Sequence, residues 1–258
     1  MKTKFSFSKN HTSLLLAMVT LLLLSAQSTT FAGSATWDST NILNTDWNTD
    51  GNWMITSGSG YPGTPPGTTD TATFNNLSST ISLFISSSII IAAIDFTASE
   101  KHAFTITVDP LAGSGFNGTG ITNGSGITQN FVIAEAADLS FTNSATAGSM
   151  TAFTNNGSTA SGVSAGVMDF SDTSTAGSAT ITNNGGTVSG AFGGSTHFEG
   201  TSTAGSATLI ANGGTASGAG GGSIQFFATS TGGTASVDVL NNGTARLAIW
   251  ISAVIPAA

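Results

Sequence analysis

Three tryptophans near the start of the chain are the residues whose type and spacing point most directly to ligand binding. Trp37, Trp47 and Trp53 fall within the short stretch ATWDSTNILNTDWNTDGNWM. A flat indole ring can stack on a sugar, so these residues predict, as one alternative, a carbohydrate-binding surface. Large aromatic side chains are also packing anchors, and in that interpretation the three indoles lie inside the fold.

Three acidic residues, Asp169, Asp172 and Glu199, could approach one another if their segments lie on adjacent coils of a repeat structure. Glycoside hydrolases work through two carboxylates that face each other across a sugar, and polysaccharide lyases add a basic residue. Lys101 and Arg246 are both remote from this cluster. We therefore expect a solvated acidic edge that keeps the protein soluble, and we keep a polysaccharide lyase or hydrolase as the less favoured alternative.

Other residue types that carry chemistry are scarce. The chain has no cysteine and three histidines, of which His102 and His197 have no partner at metal-ligand spacing. It contains no nucleophile-elbow serine and no phosphate-binding loop. The string DWNTDGNWM has the acidic residues of a calcium loop but lacks the closing glutamate. The sequence predicts no catalytic residues, no cofactor and no metal, and hence a protein that is not an enzyme.

A Thr-x-Thr pattern recurs near the end of the chain. If its segment forms a flat strand, the hydroxyls make a grid about 7 Å by 4.8 Å, which can order water or bind ice. The alternative is an outer face rich in threonine because threonine favours strands. The residues concerned are Thr173, Thr175, Thr201, Thr203, Thr229 and Thr231.

These threonines belong to a repeat. FSDTSTAGSATITNNGGTVSGAFGG from Phe170 aligns with FEGTSTAGSATLIANGGTASGAGGG from Phe198, and Phe226 begins a third copy. A divergent copy starts at Phe141, so the leading phenylalanines lie 29, 28 and 28 residues apart. Self-similarity at a fixed period of this size is typical of stacked repeats. The many glycines and the absence of a 3.6-residue apolar period argue against helical repeats.

The pattern within one unit indicates short strands separated by tight turns. Apolar residues alternate in Ala179 to Ile181 and in Val188 to Phe192, and Ala-Gly, Asn-Gly-Gly and Gly-Gly corners stand between the runs. Three strands and three corners per unit describe one coil of a parallel β-solenoid, with neighbouring coils about 4.8 Å apart. A β-propeller or β-sandwich remains the alternative.

In a solenoid, equivalent residues of successive coils stack as ladders. We expect an aromatic ladder, an aliphatic ladder, a row of small residues and an amide ladder at the Asn-Gly corners, where the adjacent glycines adopt positive φ. In that order, the four sets are Phe141, Phe170, Phe198 and Phe226; Phe153, Ile181, Leu209 and Val237; Ala179, Ala207 and Ala235; and Asn156, Asn184, Asn212 and Asn242.

Residues 33–100 differ from the repeats and contain the three tryptophans. A solenoid needs its first coil to be covered, because that coil otherwise exposes unpaired strand edges. We interpret this region as an N-terminal β cap. The apolar stretch from Ile81 to Phe96 is too short to span a membrane as a helix and predicts two buried strands at the start of the solenoid.

The first 32 residues have the order of a secretory signal peptide. Lys2, Lys4 and Lys9 precede an apolar run of 11 residues and a stretch that ends in Thr30-Phe31-Ala32, after which we expect cleavage. The run is shorter than a membrane-spanning helix. Cleavage leaves 13 acidic residues against two basic ones, a net charge of −11. That charge disfavours nucleic acid and anionic membranes as partners and leaves a surface glycan or self-association.

Several of these motifs resemble the passenger regions of autotransporter-type proteins of Gram-negative bacteria. The resemblance covers nearly all of the chain after residue 32. It implies export, a surface or secreted location, and a C-terminal β-barrel translocator. The motifs that carry it are TW…DWN…NW, PGTTDTATF, GTGITNGSGITQNFV, FTNSATAGS and STAGSATITNNGG.

The chain departs from that family at its end. A translocator needs many alternating strands of about 10 residues, whereas this sequence stops at Ala258 with the non-repeat tail LAIWISAVIPAA. We expect a truncation, for instance by a frameshift near Arg246, so outer-membrane anchoring is not carried over.

The sequence thus predicts an all-β chain with about 28-residue coils. Its parts are a signal peptide (1–32), a tryptophan-containing cap (33–100), solenoid repeats (101–246) and a tail (247–258). Its expected role is non-enzymatic and structural or adhesive.

Overall fold

The computed structural model describes residues 33–38, 44–64, 69–77 and 80–240, together with the backbone of 244–249. The expected signal peptide, Asn242 and residues 250–258 of the expected tail lie outside the described residues. In the described part the chain is all β, and its one helical element is a 3-10 turn at Asp50–Asn52.

The strands form two sheets, and the chain alternates between them. Sheet A contains, in spatial order, β2 (Trp53–Ser57), β1 (Ser34–Trp37), β3 (Thr71–Phe74), β5 (Ile90–Phe96), β7 (Gly113–Asn123), β9 (Asp138–Phe141), β11 (Val167–Phe170), β13 (Ser195–Phe198), β15 (Gly220–Phe226) and β17 (Thr244–Ile249). Sheet B contains β4 (Ser82–Ile85), β6 (Thr105–Val108), β8 (Gln129–Ile133), β10 (Thr151–Asn155), β12 (Thr180–Asn183), β14 (Thr208–Asn212) and β16 (Ser236–Leu240).

Strand pairing shows that the fold is a parallel β-solenoid. Each strand from β3 onward pairs in parallel with the strand two positions further along the chain, so each pairing spans one coil. Phe170 pairs with Phe141 on one side and with Phe198 on the other. The prediction of stacked coils of about 28 residues is confirmed, and the propeller and sandwich alternatives are excluded because their sheets are antiparallel.

The predicted aromatic ladder lies inside sheet A. The ring centroids of Phe141, Phe170, Phe198 and Phe226 follow one another at 4.9, 4.8 and 4.8 Å, and Phe116 extends the stack at 4.8 Å. Because this spacing equals the distance between paired strands, each ring stacks on the next without any shift of the backbone. Burial of these rings is the main apolar contribution to the core on this side.

Three of the four residues of the predicted aliphatic ladder lie inside sheet B. Phe153 pairs with Ile181, Ile181 with Leu209 and Leu209 with Val237. The first three are buried, whereas Val237 on β16 is 38% exposed. The ladder continues toward the N-terminus, since Phe131 stacks on Phe153 at 4.8 Å and pairs with Ile106. The row of alanines is also found, with Ala179 and Ala207 fully buried beside it.

The coil has two strands rather than the predicted three. The segment from Val188 to Phe192 is not a strand: it is a turn in which Ala191 N–H donates to the Val188 carbonyl at 3.0 Å. Val188 and Phe192 are 38% and 56% exposed, so the alternation of apolar residues here does not mark a buried face. Gly190 inside this stretch, and Gly193 and Gly194 directly after it, favour a turn over an extended strand.

The Asn-Gly corners carry part of the predicted amide ladder, but their glycines have a different role. Asn212 Nδ2 donates to Asn184 Oδ1 at 2.9 Å. The prediction of positive φ at the following glycines is wrong, because Gly185 is not among the residues with positive φ. A Cβ on Gly185 would instead lie 2.3 Å from the Gly213 carbonyl oxygen. These corners need glycine because the backbones of neighbouring coils touch there.

A second amide pair, which the sequence analysis missed, lies in the interior one residue earlier. Asn155 Nδ2 donates to Asn183 Oδ1 at 2.6 Å and to the Thr196 hydroxyl at 3.1 Å. The Thr196 hydroxyl donates to Asn183 Oδ1 at 2.9 Å. All three side chains are fully buried. This network links sheet A to sheet B across the core, and a shift of one coil against the next would break it.

Candidate functional site

The three tryptophans form a cap rather than a binding surface. Trp37 and Trp47 are fully buried, and Trp53 lies between them with ring centroids 4.9 and 4.6 Å away. Each indole N–H donates to a backbone carbonyl: Trp37 to Thr80, Trp47 to Pro62 and Trp53 to Trp47. No indole face is left for a sugar, so the carbohydrate-binding interpretation of these residues is wrong on grounds of burial.

Residues of the cap also form hydrogen bonds with the backbone of the first strand of each sheet. β2 runs antiparallel to β1 and ends sheet A, while Trp47 N–H donates to the Phe84 carbonyl on β4 at 2.8 Å. Parallel coils begin at β3, well before residue 100, so the region 33–100 contains both the cap and the first coils. The stretch from Ile81 to Phe96 forms β4 and β5, whose inward side chains are buried.

The predicted threonine pairs lie at a turn. Thr175 and Thr203 form single-residue parallel bridges with the neighbouring coils, and the residues around them are turns. The hydroxyls of Thr173, Thr201 and Thr229 donate to carbonyls of the preceding coil at 2.8, 2.7 and 2.7 Å.

The second member of each pair is also engaged. Thr175 and Thr203 accept from the N–H groups of Gly177 and Gly205, and Thr231 donates to the Thr203 hydroxyl. The flat strand on which the predicted grid depended is absent here, and the hydroxyls brace the turn instead.

The predicted acidic cluster lies at the outer face and corner of sheet A. Asp169 projects outward from β11, whereas Asp172 and Glu199 occupy the turns that follow β11 and β13. Asp169 Oδ1 lies 2.9 Å from Nδ1 of His197 on the next coil, and Asp172 accepts from the Asn143 N–H. Among the described residues, no three His, Asp or Glu side chains lie close enough to hold a metal.

Burial raises the pKa of the Asp138 carboxyl, and the negative charge of Asp169 raises it further. A carboxyl whose folded-state pKa is raised destabilises the fold once it ionises, and this penalty is lost as the pH falls through the folded pKa. We therefore expect Asp138→Asn to raise the melting temperature at pH 7 and to have no such effect at pH 3. Because the site is partly exposed, the gain should stay below about 1 kcal/mol.

Glu135 provides a control of opposite sign. The Thr159 N–H and hydroxyl both donate to its carboxylate, and these bonds hold its pKa below the ordinary value. Glu135→Gln should lower the melting temperature at pH 7 and have less effect at pH 3. Thermal unfolding of both variants beside the parent at the two pH values tests the pair, and equal shifts at both pH values would contradict the assignment.

Two shallow grooves run along the solenoid across successive coils. The first, about 720 Å³, is lined by Gly148, Gly177, Gly205 and Gly233 with neighbouring serines and threonines. The second, about 590 Å³, is lined by the Asn-Gly corners and by Thr159, Thr187 and Thr215. Asp169, Asp172 and Glu199 line neither groove.

The outer side of strands β6, β8, β10, β12 and β14 in sheet B forms a regular surface, which we call the threonine face. Each of these five strands contributes two outward side chains, which form two columns along the solenoid. The first column is Thr105, Asn130, Ala152, Thr180 and Thr208, and the second is Thr107, Val132, Thr154, Thr182 and Ile210.

The ten side chains of the threonine face are uncharged, although Asp238 on β16 continues its second column beside Ile210. Asp138, Asp169 and His197 all lie on the outer side of sheet A. The ten residues of the threonine face are neutral, and the register between their strands has no shift, whereas sheet A has a shift between β5 and β7. The sequence did contain the signal for this face, since Thr105-Ile106-Thr107 and Thr180-Ile181-Thr182 alternate around buried residues.

The free hydroxyls on the threonine face distinguish it from the turn threonines. Within the described part of the chain, the side-chain hydroxyls of Thr105, Thr107, Thr154, Thr180 and Thr182 have no protein hydrogen-bond partner. They are thus available to a ligand or to water, whereas the hydroxyls of Thr173, Thr201 and Thr229 are occupied.

Comparison with known proteins finds no matching family model, no matching curated protein and no matching solved structure. What defines the chain is therefore its own architecture, a parallel β-solenoid with a tryptophan cap and one neutral, regular face. None of the described residues belongs to a helix long and apolar enough to cross a membrane.

Proposed function

We propose that this chain is an exported, non-catalytic display protein of the autotransporter-passenger type, which acts by presenting a repetitive adhesive surface. The observation that supports this proposal is the threonine face, because it aligns two uncharged outward side chains on each of five strands, and six of these ten side chains are threonines. A surface of this kind suits an extended or periodic target better than a single small molecule, because the two large grooves among the described residues are shallow and open.

The first 32 residues support export. Their order of positive head, apolar run and small residues before Gly33 is that of a signal peptide. After cleavage the acidic side chains on the outer side of sheet A keep the solenoid soluble. The location we propose is the cell surface or the medium.

Export and adhesion can be tested separately. Expressed in a Gram-negative host, the full chain should appear outside the cytoplasm with Gly33 as its first residue, and deletion of residues 2–32 should retain it inside. The purified mature chain should co-sediment with washed bacterial cells or with their isolated surface polysaccharide, and Thr182→Lys should weaken that binding. Uncleaved protein in the cytoplasm would overturn export, and a folded chain that binds neither material would overturn adhesion.

A further inference from the structure

We propose that the threonine face binds ice, that is, the ordered surface lattice of frozen water. This inference rests on the proposed function in one respect, because it names the target of the same display surface. It replaces the turn threonines with a different set of residues, the ten side chains on the outer side of sheet B.

The first support is the geometry of the lattice. Outward side chains on one strand are separated by two residues, about 7 Å, and equivalent side chains on neighbouring strands by about 4.8 Å. The strand pairs β6–β8, β8–β10, β10–β12 and β12–β14 all align without a register shift, so the two columns are continuous. The side-chain positions therefore repeat in two directions, although the residue types vary from strand to strand. A set of positions that repeats in this way can match a crystal surface, and the oxygen rows of hexagonal ice have spacings of similar size.

The second support is the chemistry of the side chains. Each threonine presents one hydroxyl, which can donate and accept hydrogen bonds, and one methyl group, which forms no hydrogen bonds with water. Five of the six threonine hydroxyls on this face are without a protein partner among the described residues, and Thr208 accepts only a 3.5 Å contact from Ser236. None of the ten side chains is charged, so none imposes its own radial hydration shell on the water above it.

The third support is the rigidity of the face. Phe131, Phe153, Ile181 and Leu209 alternate with the outward residues and are stacked in the core directly beneath them. Phe131 and Phe153 are 4.8 Å apart and within 16° of parallel. The Asn155–Asn183 bond adds a fixed link between neighbouring coils. A lattice held in this way keeps its spacing, and little conformational freedom is lost when it binds.

The test uses the purified mature chain and two matched lysine variants. Thr182 lies in the middle of the threonine face, and Thr201 lies at the turn with its hydroxyl occupied. We measure incorporation into a slowly growing ice hemisphere and thermal hysteresis. The parent chain and Thr201→Lys should enter the ice and give hysteresis, while Thr182→Lys should lose both. Circular dichroism and the melting temperature establish that each variant is folded.

A second pair of variants separates the two chemical contributions. Thr182→Val keeps the methyl group and replaces the hydroxyl by a second methyl, and Thr182→Ser keeps the hydroxyl and removes the methyl. Both should reduce hysteresis less than Thr182→Lys does. A folded parent chain that is excluded from ice, or equal loss in Thr182→Lys and Thr201→Lys, would overturn the ice proposal. If that chain still bound cells or insoluble polysaccharide at room temperature, the display function would stand and only the ice target would fall.

Discussion

Gly185→Ala is expected to destabilise the solenoid by about 3 kcal/mol or more, a large effect for one added methyl group. A Cβ at this position would lie 2.3 Å from the Gly213 carbonyl oxygen and 2.4 Å from the Gly213 carbonyl carbon. Both atoms belong to the backbone of the next coil, which cannot rotate away as a side chain can. The coils must therefore separate locally, which weakens the ladders on both sides of the corner.

Gly113→Ala is the matched control. Gly113 is the first residue of β7. The nearest atom to a Cβ added there is the Ser88 hydroxyl oxygen at 3.8 Å, which is an ordinary contact. We expect this variant to change the free energy of unfolding by no more than about 0.5 kcal/mol. Urea unfolding followed by circular dichroism compares the two. If Gly185→Ala were as stable as Gly113→Ala, close coil contact would not be the reason for glycine at the corner.

Phe170→Ala is expected to cost roughly 3 to 5 kcal/mol, because it removes a fully buried ring from the middle of a stack. Phe170 is 4.9 Å from Phe141 and 4.8 Å from Phe198, ring centroid to ring centroid. The two neighbours are too far apart to close the gap, since the paired backbone strands fix their separation. The cavity therefore persists, and its walls lose their contacts.

The comparison is Phe192→Ala, which removes the same ring from a turn where it is 56% exposed. This change should alter stability by about 0.5 kcal/mol or less. Because coils contact mainly their neighbours, the loss at Phe170 should be local, with faster amide exchange in β9, β11 and β13 than in the cap. Uniform loss of protection along the whole chain would contradict a nearest-neighbour solenoid.

The repeat made most of the architecture predictable. Phe141, Phe170 and Phe198 recur at a constant interval, and only a coil of that length can bring them into register on parallel strands. The alternation around Ile181 and Leu209 likewise identified the inward side of sheet B. In both cases the information is periodic, so each copy of the repeat reinforces the same assignment.

The predictions failed where the local pattern of apolar residues does not correspond to which residues are buried. Val188 and Phe192 alternate like a strand, yet the glycines between and after them favour a turn. Trp47 was given two interpretations, sugar binding or packing, and the fold places its ring in the cap core as the packing interpretation expects. The sequence alone could not decide either case, because the answer depends on which residues cover the segment in three dimensions.

The sequence by itself determined the all-β character, the parallel coils and the identity of the ladders, since a two-residue alternation within a fixed 28-residue period admits few other folds. Tertiary structure decided which of the two Thr-x-Thr patterns presents free hydroxyls on the outer side of a sheet. Thr173 and Thr182 both recur in Thr-x-Thr segments, but only Thr182 lies on a strand, with its hydroxyl unbonded. The physical reason is that a turn satisfies hydroxyls with nearby carbonyls, whereas a parallel strand directs its carbonyls to its neighbours and leaves the outward hydroxyls free.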